Sequence, residues 1–205
     1  MRKVWNYGGI AASVVLIAFG IGALVMGASG RSTVRDNLAQ ESITGTPDMT
    51  PKAIAAEAKA AGLTNVDLPT KSVAGQTIDT GAKARTFANY MRIHALEATG
   101  GKVYAEMPRY ATADGKGTND AKAALKDPKS GRPADNAARN VWVTETALST
   151  ALNTSYFAEN VALFSVVMGI AMLLTGIGFL VLTLRLLVRP AERDVRAGRA
   201  VAATS

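Results

Sequence analysis

Cysteine is absent from this sequence of 205 residues, and histidine occurs once, as His94. Without cysteine the chain has no disulfide, no thiolate metal site and no cysteine nucleophile. One histidine cannot supply the two imidazoles of a two-histidine, one-carboxylate iron site within a single chain. These absences exclude several common classes of enzyme before any fold is considered.

Charged residues are missing from two long stretches, residues 4–30 and residues 160–184. A helix of about 20 apolar residues crosses the ~30 Å hydrocarbon core of a bilayer. We therefore predict two transmembrane helices, at residues 8–28 and 161–184. The polar segment between them, residues 29–160, has the size of one domain.

A cleaved signal peptide is the alternative explanation for the first apolar stretch. The apolar region of a signal peptide usually spans about 7–15 residues and ends at a small-x-small cleavage site. The stretch here is longer, and Gly27-Ala28-Ser29 matches that site only in part. We favour an uncleaved signal anchor.

The formal net charge of +7 lies mainly beside the two apolar stretches. Arg2 and Lys3 precede the first, and the tail at residues 185–205 carries five arginines against two acidic residues. Lysine and arginine are enriched in the cytoplasmic flanks of membrane spans, so we expect residues 1–7 and 185–205 to be cytoplasmic and residues 29–160 to be extracytoplasmic. The tail is expected to contact anionic lipid. Nucleic-acid binding is not expected, because the sequence has no basic motif interleaved with aromatic residues.

Helix signals dominate the middle segment. Val34 and Leu38, four residues apart, predict that the first span continues as an amphipathic helix beyond the membrane. A capping Thr50 followed by Pro51 starts a second helix that ends at Gly62. The best helix of the segment runs over residues 82–99 and stops at a Gly-Gly pair.

The remaining signals are weaker until the last helix begins. Residues 73–78 suggest a short strand or hairpin, and residues 120–126 a short helix. From Asp135, read as an N-cap, one continuous helix is predicted from about residue 136 to residue 188, ended by Pro190. On it, Glu159 is expected to be the last solvated charge before the lipid.

The predicted fold is therefore mostly α. Two transmembrane helices form an antiparallel hairpin with long extramembrane extensions, and these carry a helical external insert domain.

Small residues spaced four apart predict where transmembrane helices pack closely, either on each other or on a partner. The residues that meet this pattern are Ala18, Gly22, Ala23, Gly27, Ser165 and Gly169.

No catalytic or cofactor-binding motif is recognised. Glu97 is the only carboxylate close to His94 in the sequence. One imidazole and one carboxylate make at best half of a metal site, so no metal ligand is assigned. Residues 114–125 lack the ligand pattern of an EF-hand, and no phosphate-binding loop is present. An aromatic and methionine cluster is instead predicted to form a core or an interaction surface: Phe87, Tyr90, Met91, His94, Tyr104, Met107, Tyr110 and Trp142.

Three stretches carry a resemblance to a known group of proteins: residues 90–100 (YMRIHALEATG), 107–120 (MPRYATADGKGTND) and 142–156 (WVTETALSTALNTSY). With residues 30–38 and 45–51, they resemble an uncharacterised family of bacterial, mainly actinobacterial, two-span membrane proteins. Members are often labelled, by transfer, as an aromatic ring-opening dioxygenase small subunit. The resemblance implies two spans and transfers no functional residue to this chain.

Taken together, these patterns predict a non-catalytic membrane protein without a cofactor. Its partners are the lipid bilayer and either a second copy or another membrane protein. We expect an envelope interaction or oligomerisation module. The alternatives are an accessory subunit of a membrane transporter or sensor, and the dioxygenase subunit that the family label implies.

Overall fold

The computed structural model describes the backbone of residues 2–202 and the side chains of residues 7–186. Over that range the chain is mostly helical, with α1 (Arg2–Gln40), α2 (Pro51–Ala60), α3 (Gly81–Ala98) and α4 (Ala137–Ala202), and a 3₁₀ turn at Tyr104–Glu106. Extended pairing within it is limited to isolated β-bridges. The chain divides into two compact units, one of Met1–Ser32 with Asn160–Ser205 and one of Thr33–Glu159.

Two helices are long and apolar enough to cross a membrane, at Tyr7–Gln40 and Ala137–Leu186. Only 11% of the most apolar window in α1 is buried, and 17% of that in α4. An apolar helix in the core of a soluble protein is mostly buried, and neither of these two windows is.

Small residues bring the backbones of α1 and α4 together in the first unit. A Cβ placed at Gly20 would lie 2.9 Å from the carbonyl oxygen of Gly169, and one at Gly27 would lie 2.7 Å from that of Ala162. Buried small residues recur every seven positions on both helices: Ser13, Gly20 and Gly27 on α1, and Ala162, Gly169 and Gly176 on α4. A seven-residue repeat keeps one side of a helix against its neighbour, as in coiled coils.

The six predicted packing residues occupy three environments. Gly27 and Gly169 are buried on this seven-residue seam, Ala23 and Ser165 are half-buried, and Ala18 and Gly22 are exposed. A Cβ at Gly22 would meet no other atom within 4 Å. The close packing in this unit thus follows a spacing of seven, and the Ala18/Gly22 pair faces away from it.

The main core of the Thr33–Glu159 unit forms where α2 and α3 pack with the end of α1 and the first half of α4. Its largest fully buried side chains are Val73, Ile54, Ile78, Tyr90 and Ile93. A smaller cluster joins Ala95 on α3 to Trp142 on α4 through Met107. Leu38 on α1 is buried in the main core, which confirms the amphipathic continuation of that helix.

The predicted helix boundaries in the middle segment are confirmed to within one residue. The Thr50 hydroxyl accepts a hydrogen bond from the Ala53 backbone N–H at 3.2 Å, and Pro51 is the first residue of α2. Gly62 follows that helix with a φ of +66°, and Gly100 follows α3 with a φ of +63°. Glycine adopts this left-handed conformation without steric cost, which explains where both helices stop.

Three local predictions are wrong. Residues 120–126 form turns rather than a helix. Residues 73–78 form neither strand nor hairpin but two single bridges, Thr44 to Thr77 and Gly45 to Ala74. The N-cap of α4 is Asn136, whose Oδ1 accepts from the Ala138 backbone N–H at 3.1 Å, and not Asp135, which forms a bridge with Tyr110.

The predicted end of the last helix is also wrong. The backbone of α4 continues through Pro190 to Ala202. A proline inside a helix removes one backbone hydrogen bond. The residues that follow include several alanines and arginines, which favour helix.

Candidate functional site

The eight residues of the predicted aromatic and methionine cluster divide between the two cores and the surface. Tyr90 is fully buried in the main core, and its hydroxyl donates to the Lys71 carbonyl at 3.0 Å. Burial raises the pKa of the Tyr90 hydroxyl. Phe87 and Met91 are half-buried against the same core, whereas Met107 and Trp142 are buried in the smaller cluster.

The other three residues of that cluster lie nearer the surface. Tyr104 is exposed, with the Arg139 guanidinium 4.0 Å from its ring centre, and Tyr110 is half-buried with Arg109 5.2 Å from its ring centre. His94 is half-buried on α3. The predicted cluster is therefore not one surface, because its members contribute to different parts of the unit.

A buried carboxylate joins α3 to α4. Glu145 on α4 is only 4% exposed, and it accepts a hydrogen bond from the Arg92 guanidinium at 3.2 Å. The Ser149 hydroxyl donates to its other oxygen at 2.8 Å. The same guanidinium lies 3.9 Å from the centre of the Trp142 ring. Buried charges in proteins are paired and hydrogen-bonded in this way, so the arrangement positions the two helices.

A second carboxylate secures the start of α3. Glu159 accepts from the Arg35 guanidinium at 2.9 Å and from the Gly81 backbone N–H at 2.6 Å. A Cβ at Gly81 would lie 2.7 Å from the Cα of Tyr156, so only glycine lets the helix start this close. The prediction that Glu159 is a solvated charge is therefore wrong.

The most unusual polar arrangement lies between the loop before α2, α2 itself and α3. The His94 Nε2 atom is 3.3 Å from Oδ2 of Asp48 and 3.5 Å from Oε2 of Glu57. One ligand atom from each of these residues lies within 4.8 Å of the other two. We call these three residues the His94 cluster.

Two atoms of the His94 cluster are enclosed without a hydrogen-bond partner among the described residues, Nε2 of His94 and Oε1 of Glu57. Burial raises the pKa of the Glu57 carboxyl, and the neighbouring carboxyl of Glu97 raises it further. At Asp48, a hydrogen bond from the Thr46 side chain lowers the pKa of the carboxyl. The cluster therefore combines an exposed anionic ligand with a more buried carboxyl group and an imidazole.

Sequence reasoning missed the His94 cluster because Asp48 and Glu57 are remote from His94 along the chain. It weighed only Glu97, one turn away on the same helix. Glu97 is exposed and contributes to the environment of Glu57 rather than to the set of three ligand atoms. Residue spacing in a single sequence cannot show that a loop residue lies close to residues on two separate helices.

An apolar groove lies beside the main core. It encloses about 570 Å³, and its apolar lining residues are Leu38, Ile43, Phe87, Met91, Leu148, Ala151 and Leu152. Leu148 is 48% exposed there. A neighbouring groove of about 590 Å³ shares Met91 and Leu148 and continues past Val141. We call the surface around Phe87, Met91 and Leu148 the apolar groove.

These features define a mostly helical chain that has two helices capable of crossing a membrane. The chain also has a compact unit, Thr33–Glu159, of domain size. Comparison with protein-family models, curated proteins and solved structures finds no match for it. Any functional assignment must therefore come from the residues and their geometry.

Proposed function

We propose that this chain is a two-span integral membrane protein whose Thr33–Glu159 unit lies outside the cytoplasm and acts as an interaction module. Large apolar side chains are exposed along both apolar helices, among them Phe19 and Met26 on α1 and Phe164 and Leu174 on α4. Lipid tails would cover such side chains, whereas in water the exposure of so many apolar side chains on two helices would be unfavourable.

The close approaches in the first unit support a hairpin. Gly9 lies against Thr183, Gly20 against Gly169 and Gly27 against Ala162. From one contact to the next, the residue number increases on α1 and decreases on α4, which is the pattern of two antiparallel helices. The hairpin would bring both termini to one side of the membrane, in agreement with the basic flanks.

The apolar groove is the observation that carries the proposed interaction function. A contiguous exposed apolar surface that is bordered by polar residues is a mark of protein–protein contact sites. The groove has Asn37, Glu41 and Ser155 at its border and a half-exposed Leu148 inside it. We propose that it receives an apolar segment of a protein partner in the envelope, in the first instance a second copy of the chain.

The proposed topology is tested by labelling single cysteines in intact cells. Because the chain has no cysteine, Lys116→Cys and Ala203→Cys each create a unique site for a membrane-impermeant maleimide. We expect labelling at position 116 and not at position 203. Labelling at 203 alone would contradict the proposal and favour a cytoplasmic enzyme subunit of the kind that the dioxygenase label implies.

The proposed contact is tested by comparing two leucines of similar exposure. Leu148 in the groove is 48% exposed, and Leu125 in the loop before α4 is 44% exposed. After cross-linking in membranes, Leu148→Glu should reduce the yield of complexes containing the chain, and Leu125→Glu should not. Equal yields for wild type and both variants would contradict the interaction function. Complexes that contain a larger membrane protein would identify an accessory subunit, and complexes of twice the chain mass a homodimer.

A further inference from the structure

The His94 cluster has the composition of a metal site. It offers one imidazole nitrogen and two carboxylate oxygens from three separate segments. Imidazole favours zinc, copper, iron and nickel, and carboxylate adds affinity for any divalent cation. Hard cations such as calcium and magnesium take mainly oxygen ligands, so this mixed set is better suited to a first-row transition ion.

The two distances from the imidazole nitrogen to the carboxylate oxygens fit a bound zinc ion. Two ligands held about 2.1 Å from a tetrahedral zinc ion lie about 3.4 Å apart. The distances from His94 Nε2 to the carboxylate oxygens of Asp48 and Glu57 are 3.3 and 3.5 Å. A hydrogen bond from Nε2 would account for one of these contacts, but Nε2 lacks a hydrogen-bond partner among the described residues.

Besides the ligand spacing, a second observation points to a bound ion, namely two buried polar atoms of the cluster that have no hydrogen-bond partner. His94 Nε2 and Glu57 Oε1 are both shielded from solvent, and neither has a hydrogen-bond partner among the residues that the structure describes. The contacts of Nε2 with Asp48 and Glu57 are at ion-pair distance without the geometry of a hydrogen bond. Unpaired buried polar atoms are costly and require an explanation, for which a bound ion is one recognised cause. The Asp48 side chain is 48% exposed, so this ligand of the cluster is accessible from solvent.

From this geometry we propose that Asp48, Glu57 and His94 bind one divalent transition-metal ion. A coordination position is left for water, because three ligands occupy fewer than the four positions of zinc. The ion would join the loop before α2 to α2 and α3, and so stabilise the Thr33–Glu159 unit. This inference does not depend on the interaction function of the apolar groove.

Zinc is a direct probe, because His94 is the only imidazole of the chain and no thiolate competes with it. The full chain is purified in detergent with a tag that contains no histidine, treated with chelator and titrated with zinc chloride in a calorimeter. We expect binding of one ion per chain and a rise in the unfolding midpoint at saturation, since a ligand that binds only the folded state stabilises it.

Two ligand variants and one matched control test the site. Asp48→Asn removes an exposed ligand with little risk to folding, and His94→Gln removes the imidazole. Each should weaken zinc binding by about tenfold or more and reduce the rise in midpoint at the zinc concentration used for the wild type. Asp114→Asn, in an exposed loop, should bind zinc like the wild type. Magnesium should bind more weakly than zinc to the wild type.

Two outcomes would overturn the proposal. One is the absence of zinc binding at millimolar zinc by the wild type. The other is equal zinc affinity in the wild type and Asp48→Asn, whatever the folding state of His94→Gln. The first would leave His94 as an ion-pair partner of the two carboxylates, and the second would place the ion elsewhere.

Discussion

Gly20→Ala is the sharpest test of the packing between α1 and α4. The new methyl group would lie 2.9 Å from the Gly169 carbonyl oxygen and 2.9 Å from the Leu173 backbone nitrogen. Backbone atoms cannot move aside as a flexible side chain can, so the two helices must separate locally. Overpacking of this kind costs roughly 1–3 kcal/mol. For a chain of this size, each kcal/mol shifts the unfolding midpoint by about 2–4 °C, so we expect a decrease of about 2–12 °C.

Gly22→Ala is the matched control, because it adds the same methyl group to the same helix two residues away. A Cβ at Gly22 has no neighbour within 4 Å, and alanine favours helix over glycine by roughly 0.5–1 kcal/mol. Its midpoint should therefore stay level or rise. Both variants are measured by circular dichroism during heating in the same detergent. Similar decreases for the two variants, or no change in either, would refute the proposed seven-residue seam.

Three further predictions concern the Thr33–Glu159 unit. Tyr90→Phe should cost about 0.5–1.5 kcal/mol of unfolding free energy in denaturant titrations, since it removes the hydrogen bond from the buried Tyr90 to the Lys71 carbonyl. The exposed Tyr104→Phe should change it by less than about 0.5 kcal/mol, and a larger effect at Tyr104 would contradict the assigned burial. Glu145→Ala should cost at least about 2 kcal/mol in the same titrations, because it removes two hydrogen bonds to a charged group and each contributes roughly 1.5–3 kcal/mol. An unchanged midpoint would argue against the buried pair. A hydrogen bond from Lys83 lowers the pKa of the Asp79 carboxyl, so that carboxylate stabilises the fold above its unfolded pKa and loses this contribution as pH falls through its folded pKa. Melting curves of wild type and Asp79→Asn should therefore converge in acid, and a difference that persists at the lowest pH would count against the pairing.

The helices of this protein could be predicted where local chemistry decides them. The Thr50 hydroxyl and Pro51 start α2, and Gly62 and Gly100 end α2 and α3, because caps and left-handed glycines act within a few residues of the chain. The two apolar stretches were visible for the same reason, since span length follows directly from composition.

Periodicity was less informative on α4, because the face that packs in the Thr33–Glu159 unit is largely polar. Val141 and Leu148 are apolar and yet exposed, whereas Glu145 is buried on the same helix together with Trp142 and Leu152. A buried glutamate has no hydrophobic signal, and its environment depends on an arginine contributed by another helix. The same is true of Glu159, which looked like a solvated charge until its partners on α1 and α3 were known.

The sequence alone determined that this chain is helical, that it has two stretches able to span a membrane, and where its middle helices begin and end. Only the tertiary structure decided which glycines bring α1 and α4 together, which carboxylates are buried, and that Asp48 and Glu57 meet His94. The physical reason is the distance along the chain over which each interaction acts. Caps, glycine turns and apolar length act between neighbours in the chain, whereas close approach and shared burial depend on which remote segments pack together.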